Sequence, residues 1–153
     1  MGIEDDINFL ERVPMLRLLG RQALRILAIG AESRDLKPGE VLFDAGEAAD
    51  CGYLIHDGSF RLSSGETAHE NIVGVGTLLG EYALITETPR GFTATAIESS
   101  MVLRLSRSLF LKTMEGYPEA ARRLRDYLAH RTDQSMKDLN QVKAVLDRSD
   151  RWA

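Results

Sequence analysis

The spacing of apolar residues changes twice along the chain and divides it into three stretches. In the first stretch apolar residues recur three or four positions apart, which is typical of one face of an α-helix. They predict a short helix that Asp5 and Asp6 cap and that Pro14 ends, followed by a helix over 21–31. The residues that set this spacing are Ile7, Leu10, Val13, Leu24, Leu27, Ala28 and Ala31.

Short apolar runs separated by glycine-rich turns follow after Ser33, and they predict β-strands. The dipeptide Asp57-Gly58 stands between two of these runs and predicts a β-hairpin. In the last run, Met101, Leu103 and Leu105 alternate with polar or smaller residues and are predicted to face inward. Many short strands of this kind indicate a β-sandwich or barrel. The predicted strands are Val41–Phe43, Tyr53–His56, Phe60–Ser63, Asn71–Val75 and Met101–Ser106.

The third stretch is predicted to be helical. Ser106 or Ser108 is expected to cap a helix from about Leu109 to Gly116, and Pro118 is suited to the first position of a second helix. No glycine or proline interrupts the chain from there to about Asp147, and apolar residues follow a heptad spacing with one stutter. The spacing predicts a parallel homodimer; the alternative is one amphipathic helix packed on its own barrel. The predicted dimer residues are Ala121, Leu124, Leu128, Leu139, Val142 and Leu146, with a polar gap at Arg131 and Ser135.

Composition narrows the possible functions. A length of 153 residues with 44% hydrophobic residues indicates one folded domain. The formal net charge of −4 argues against a main surface that binds nucleic acid. Cys51 is the only cysteine and the three histidines are scattered, so no disulfide framework, metal site or cofactor is expected. The N-terminus has no long apolar run, so we expect a cytoplasmic protein without a signal peptide or membrane span.

The most informative chemistry lies in the stretch from Gly80 to Thr93, where Glu81 and Arg90 stand nine residues apart. A carboxylate can accept a hydrogen bond from a ribose hydroxyl, and a guanidinium can pair with a phosphate through its planar fork. Gly80 lets backbone N–H groups approach an anion closely. Together these groups suit a sugar phosphate. The alternative is a surface ion pair beside a loop.

This stretch resembles the phosphate-binding cassette of the cyclic nucleotide-binding domain family. That family shows Gly-Glu-x-Ala-Leu and then Pro-Arg followed by two small residues and Thr; here the two halves are Gly80–Leu84 and Pro89–Thr93. Pro38–Phe43 and the later turn glycines resemble the first barrel strands of the family, and the helix that Pro118 opens resembles the long C-terminal helix of the catabolite activator protein group. The resemblance implies a mainly β jelly-roll barrel or sandwich with short N-terminal helices and a long C-terminal helix.

The expected arrangement is a single domain with N-terminal helices over 1–32, a barrel over 33–106 that contains the cassette at 80–93, and C-terminal helices over 107–148. By resemblance, Ser135 falls where the activator group contacts the adenine base. The ligand-binding residues implied in this way are Gly80, Glu81, Tyr82, Ala83, Arg90, Gly91, Phe92 and Ser135.

The cassette departs from the family pattern at Gly91-Phe92, where two small residues are usual. Phe92 is predicted either to crowd the phosphate pocket, on the same strand face as Arg90, or to pack as a core residue. Guanine-selective members of the family tend to carry Thr directly after the arginine. Gly91 offers no hydroxyl there, so cyclic AMP (cAMP) is expected to be preferred to cyclic GMP (cGMP).

Two functions follow as expectations. The first is a stand-alone cyclic nucleotide sensor that signals through its C-terminal dimer helix. The second is a degenerate module of the same fold that binds no nucleotide and serves as a dimerisation or protein-interaction scaffold for an unknown target. No nucleophile with an adjacent base is evident, so an enzyme is not expected. No recognition helix precedes Ala153, so direct DNA binding is not expected either.

Overall fold

Two four-stranded antiparallel sheets and five helices form the fold in the computed structural model, which describes residues 2–64 and 70–130. The helices are α1 Ile3–Leu10, α2 Pro14–Arg17, α3 Arg21–Gly30, α4 Arg107–Gly116 and α5 Pro118–Ala129. The strands are β1 Glu32–Leu36, β2 Val41–Phe43, β3 Ala48–Ala49, β4 Cys51–Asp57, β5 Ser59–Ser63, β6 Glu70–Gly74, β7 Leu78–Leu79, β8 Thr88–Pro89, β9 Thr93–Ala96 and β10 Ser100–Ser106. The mainly β prediction with flanking helices is confirmed.

The first sheet has the strand order β1-β10-β4-β7 and the second has the order β2-β9-β5-β6. A separate ribbon pairs β3 with β8, with Ala48 opposite Pro89 and Ala49 opposite Thr88. The two large sheets face each other, and their inner side chains form a barrel cluster of buried residues. Its members are Leu36, Leu42, Phe43, Cys51, Tyr53, Ile55, Phe60, Leu79, Ala94, Ala96 and Val102.

The predicted hairpin at Asp57-Gly58 is wrong, because β4 and β5 belong to different sheets. β4 pairs with β10 and β7, whereas β5 pairs with β6 and β9. Gly58 has a φ of +90°, and a Cβ at this position would approach Ser100 closer than 3.0 Å. The glycine is therefore required at a corner where the chain crosses between sheets and packs on β10.

A second, larger cluster lies between the outer face of the first sheet and the helices, and we call it the helical cluster. Strand β4 contributes to both clusters, since Leu54 faces the helices while Tyr53 and Ile55 face the barrel. Both faces of this strand are buried, which explains its run of apolar residues. The helical cluster comprises Ile7, Leu10, Val13, Met15, Leu16, Leu19, Ala23, Leu24, Leu27, Leu54, Tyr82, Leu84, Ile85, Leu105, Phe110, Met114, Ala120, Ala121, Leu124 and Leu128.

Strand β10 corrects the prediction that Met101, Leu103 and Leu105 face inward. Val102 is fully buried in the barrel cluster, whereas Leu105 is buried in the helical cluster and Leu103 packs at its edge. Met101 is only partly buried, and the register shifts between Met101 and Val102. Two buried faces and a β-bulge together remove the simple alternation that the prediction assumed.

The N-terminal helices agree with the prediction in position and differ at their ends. α1 has Gly2 as its N-cap residue, and the Asp5 carboxylate in the first turn accepts a hydrogen bond from the Gly2 N–H over 3.4 Å, so Asp5 takes part in the cap from inside the helix. The helix ends at Leu10, and Pro14 occupies the first turn of α2. α3 ends one residue before the predicted Ala31.

The C-terminal helices begin where the sequence places them. The Ser106 hydroxyl accepts a hydrogen bond from the backbone N–H of Leu109 over 3.2 Å, which identifies Ser106 as the cap of α4. Pro118 occupies the first turn of α5. α5 ends at Ala129 with a turn at His130, so a helix that continues unbroken through His130 is not observed.

The predicted dimer seam needs a correction in its first half. Ala121, Leu124 and Leu128 are at most 1% exposed within a single chain, because they pack in the helical cluster of their own domain. This part of α5 is therefore an amphipathic helix on its own domain, the alternative that the spacing left open. The seam residues Arg131, Ser135, Leu139, Val142 and Leu146 lie outside the described residues.

Candidate functional site

A cavity of about 520 Å³ opens beside the predicted cassette. Its walls come from strands β2, β3 and β5 and from the segment between Thr77 and Phe92, which includes β7 and β8. The predicted residues Gly80, Glu81, Tyr82, Ala83, Arg90, Gly91 and Phe92 all line it. Sequence reasoning missed the other lining residues, which are Phe43, Ala49, Leu62, Thr77, Leu78, Leu79, Thr88 and Pro89.

Arg90 is a cationic group in the wall of this cavity, and it is only 8% exposed. Its Nη2 donates a hydrogen bond to Cys51 Sγ over 3.3 Å. Its Cζ lies 4.3 Å from the centre of the Phe43 ring and 5.5 Å from that of Tyr53, so two aromatic faces stabilise the cation. Among the described residues, Nη1 has no hydrogen-bond partner and no carboxylate lies within 4.0 Å of the guanidinium.

The backbone around Arg90 is held by the segment that leads into β3. The Arg90 N–H donates to the carbonyl of Glu47, and the Gly46 N–H donates to the carbonyl of Arg90, each over 2.7 Å. Arg90 itself stands between β8, which ends at Pro89, and β9, which begins at Thr93. Two backbone hydrogen bonds therefore hold the position from which the side chain reaches the cavity.

Gly80 lies directly against the guanidinium. It has a φ of +83°, and a Cβ built there would meet Arg90 Nη1 closer than 3.0 Å. A 3-10 turn over Tyr82–Leu84 follows, and the Ala83 N–H donates to the Gly80 carbonyl over 3.1 Å. The turn that Gly80 leads is thus packed on Arg90, which lies ten positions later in the chain.

The 3-10 turn lies between the cavity and the helical cluster. Glu81 and Tyr82 line the cavity, while Tyr82, Leu84 and Ile85 belong to the helical cluster. Ala83 is fully buried, and its carbonyl accepts a hydrogen bond from Arg107 Nε over 3.1 Å. The turn is therefore held by apolar packing on one side and by a cationic side chain at its end.

Arg107, the first residue of α4, bonds to two places on the cavity wall. Besides the Ala83 carbonyl, its guanidinium donates to the carbonyl of Ala49 through Nη2, and its own N–H donates to the carbonyl of Asp50 over 2.9 Å. Ala49 and Ala83 both line the cavity. No local pattern in the sequence indicates this contact, because its partners lie 24 and 58 positions away from Arg107.

Phe92 has a place that combines the two predicted alternatives. The residue is half-buried in a bend before β9, packs against the barrel cluster and has its ring centre 5.6 Å from that of Phe43. The same side chain lines the cavity, which stays open beside it. Gly91 is exposed, and a Cβ there would meet nothing within 4 Å. Phe92 is therefore a wall of the cavity and does not close it.

Further polar groups surround the contact between Arg90 and Cys51. Asp50 pairs with Arg104 over 3.3 Å, and its side chain is 77% exposed. Partial burial raises the pKa of Asp50. The Arg104 charge and the Cys51 thiol lower that pKa by more than burial raises it, so the net shift is downward. Burial, and then contact with Cys51, raise the pKa of Tyr53. Cys51 thus lies between the buried cation and a surface ion pair.

Residues 33–117, more than half of the chain, match the cyclic nucleotide-binding domain. The chain belongs to the cyclic nucleotide-binding domain family. The match covers the whole barrel, the cassette and helix α4. This places the cavity beside Arg90 within the part of the chain that defines the family.

Solved and curated members of the family support this assignment. A cyclic nucleotide-binding-like protein from Brucella abortus is 38% identical with a TM-score of 0.65, over 72% of this chain and 98% of that one. The cAMP-dependent protein kinase regulatory subunit of Yarrowia lipolytica is 32% identical over 70% of this chain and 29% of its own length. The cyclic AMP receptor protein of Thermus thermophilus is 30% identical over 74% of this chain and 55% of its own.

The chain therefore spans less than two thirds of these curated relatives. Ser135, the remaining predicted ligand residue of this cyclic nucleotide-binding domain, lies outside the described residues. Within 2–64 and 70–130, no helix is long and apolar enough to cross a membrane.

Proposed function

We propose that this chain is a regulatory module that binds a cyclic nucleotide, cAMP in preference to cGMP, in the cavity beside Arg90. The observation that supports this most is the state of the Arg90 guanidinium, which is 8% exposed and has no carboxylate partner among the described residues. A buried charge is costly unless it is paired. An anion in the cavity would supply both the counter-charge and the acceptor that Nη1 lacks.

A cyclic phosphate joined to ribose suits the rest of the wall. Glu81 lines the same cavity and can accept a hydrogen bond from a ribose hydroxyl. The cavity of about 520 Å³ lies within the range of roughly 300–1,000 Å³ that is usual for small ligands. Two of the relatives are named for cyclic AMP or for dependence on it, which favours the same nucleotide here.

Isothermal titration calorimetry with cAMP and cGMP tests the proposal. We expect Arg90→Ala to weaken cAMP binding by at least about 30-fold, since a charge-assisted bidentate pair is lost. Arg90→Lys should not restore binding, because an ammonium lacks the planar fork. Arg17→Ala, which removes an exposed arginine of α2, is the control and should bind like the wild type. If the wild type shows no heat with either nucleotide at millimolar concentration, the proposal fails and the scaffold function remains.

The base preference can be tested at Gly91. The resemblance implies that a threonine hydroxyl at this position favours guanine, and the open space around Gly91 allows a larger side chain. Gly91→Thr should therefore raise the affinity for cGMP relative to cAMP, whereas Gly91→Val has nearly the same shape and should not. Tighter cGMP binding by the wild type in direct competition would overturn the preference for cAMP.

The proposal includes signalling through a homodimer, now restricted to the second half of the predicted seam. Its support is the heptad spacing of Leu139, Val142 and Leu146 in the sequence. Sedimentation equilibrium should show a dimer for the wild type and a monomer for Leu139→Lys. Asn140→Lys, which adds the same charge beside the seam, should leave the dimer intact. A wild type that stays monomeric at high micromolar concentration, with and without nucleotide, would rule the dimer out.

A further inference from the structure

The group that holds the Arg90 side chain in place is a thiol. Cys51 is 1% exposed, and its Sγ is the hydrogen-bond acceptor of Arg90 Nη2 over 3.3 Å. Sulfur is a weak acceptor and a neutral thiol brings no charge. The contact can therefore fix the direction of the guanidinium without cancelling its charge.

The neighbouring carboxylate pairs with a different arginine. Asp50 precedes Cys51 directly, but its side chain is 77% exposed and pairs with Arg104 over 3.3 Å on the outer side. Successive side chains point to opposite sides of an extended segment, so the thiol faces Arg90 while the carboxylate faces solvent. A negative charge thus stands next to Cys51 in the sequence, but it pairs with Arg104 and not with Arg90.

The other groups that contact the Arg90 guanidinium are also uncharged. The rings of Phe43 and Tyr53 stack against the guanidinium, and Gly80 presents only backbone to Nη1. Nη1 is buried and has no partner in the described part of the chain. A carboxylate in place of the thiol would form a charge-assisted pair with Arg90 and would compete with any anion in the cavity.

We infer that Cys51 is a positioning residue that holds Arg90 at the cavity wall while leaving its charge available, so that the bound ligand's anionic group becomes the counter-ion. The inference rests on the proposed function for the identity of that ligand. It assigns to the cysteine a role in anion affinity that depends on its neutrality and not on its packing alone.

The experiment compares Cys51→Asp with Cys51→Asn, because these two side chains have nearly the same size and differ in charge. In calorimetry with cAMP, Cys51→Asp should bind at least about tenfold more weakly than Cys51→Asn, since a hydrogen bond between charged partners must be given up on binding. In thermal unfolding without ligand the order should reverse. Cys51→Asp should melt about 3 °C or more above Cys51→Asn, because its carboxylate pairs with the buried cation.

Two milder variants keep the test open if the larger side chains prevent folding. Cys51→Ser retains a neutral acceptor and should bind cAMP within about threefold of the wild type, whereas Cys51→Ala should lose more than the serine variant because Nη2 is left without a partner. Equal affinities for serine and alanine variants would overturn the inference.

The ligand-free melting order separates this inference from the proposed function. If the wild type binds no cyclic nucleotide but Cys51→Asp is still more stable than Cys51→Asn, the proposed function fails. The inference that Cys51 leaves the charge of Arg90 without a counter-ion is then still supported. If the wild type binds cAMP but the aspartate and asparagine variants match in affinity and in melting temperature, the role of Cys51 fails and the proposed function stands.

Discussion

The two faces of strand β4 are both buried, yet they border regions of different character. On one face Leu54 enters the helical cluster, which is apolar throughout and joins α1–α5 to the 3-10 turn. On the other face Cys51 and Tyr53 enter the barrel cluster, where the buried cation of Arg90 lies beside an open cavity. Burial of the apolar face stabilises the fold. Burial of the Arg90 charge on the other face costs free energy of folding, and this cost accompanies the cavity.

The largest expected effect is on the helical side. Leu124 of α5 is fully buried in the helical cluster, so Leu124→Ala should lower the free energy of unfolding by about 2–5 kcal/mol. Urea unfolding measures this loss. Binding of cAMP by the folded protein should stay within about threefold of the wild type, because Leu124 does not line the cavity. A large loss of affinity well below the melting temperature would show that the two regions are not separable.

Gly80→Ala should disturb the cavity side. The new Cβ would press on Arg90 Nη1, and the positive φ adds backbone strain. We expect cAMP affinity to fall about tenfold or more and the free energy of unfolding to fall by about 1–3 kcal/mol. The matched control is Gly39→Ala, with a φ of +84° and nothing within 4 Å of the added carbon. Gly39→Ala should lower the free energy of unfolding through backbone strain and leave cAMP affinity unchanged. Equal cAMP affinities for the two variants would contradict the prediction that a Cβ at Gly80 displaces Arg90.

Phe92 tests the boundary between cavity wall and core. Because the ring is only partly buried, Phe92→Ala should lower the free energy of unfolding by about 1–2 kcal/mol, less than the roughly 3–5 kcal/mol expected for Phe60→Ala at a fully buried site. As a wall residue, its removal should weaken cAMP binding about threefold to tenfold. Tighter binding would instead mean that the ring obstructs the cavity.

The smallest predicted effect concerns the start of α4. Ser106→Ala removes the hydroxyl that accepts from the Leu109 N–H and should cost about 1 kcal/mol of unfolding free energy. The exposed Ser108 two residues later is the control, and its replacement by alanine should cost less than about 0.5 kcal/mol. Denaturant titration separates the two values; equal costs would remove Ser106 as the cap.

Local signals in the sequence predicted an element well where a few neighbouring residues determine its start or its end. The Val41–Phe43 strand, the Ser106 cap and the start of α5 at Pro118 are all confirmed. The same kind of signal misled at Asp57-Gly58, because a glycine of positive φ serves a turn within one sheet and a corner between two sheets equally well. Spacing likewise could not distinguish an intramolecular seam at Leu124 from a seam between two chains.

The candidate site was predicted in part. The predicted ligand-binding residues of the cassette lie in one short stretch, and all of them line the cavity. The groups that set the state of Arg90 come from distant positions, since Cys51 is 39 residues away and Phe43 belongs to another strand. Nothing in the spacing of a lone cysteine indicates that it will face an arginine. Such contacts follow from the closure of the barrel and not from local pattern.

The bonds of Arg107 have a consequence for communication across the domain. This residue starts α4 and donates to the carbonyls of Ala49 and Ala83 on the cavity wall. If filling the cavity displaces either carbonyl, the first turn of α4 must follow or a hydrogen bond must break. The coupling is then reciprocal. A macromolecule that binds α4 in one position changes the affinity for the ligand by a certain factor, and the ligand changes the affinity for that macromolecule by the same factor.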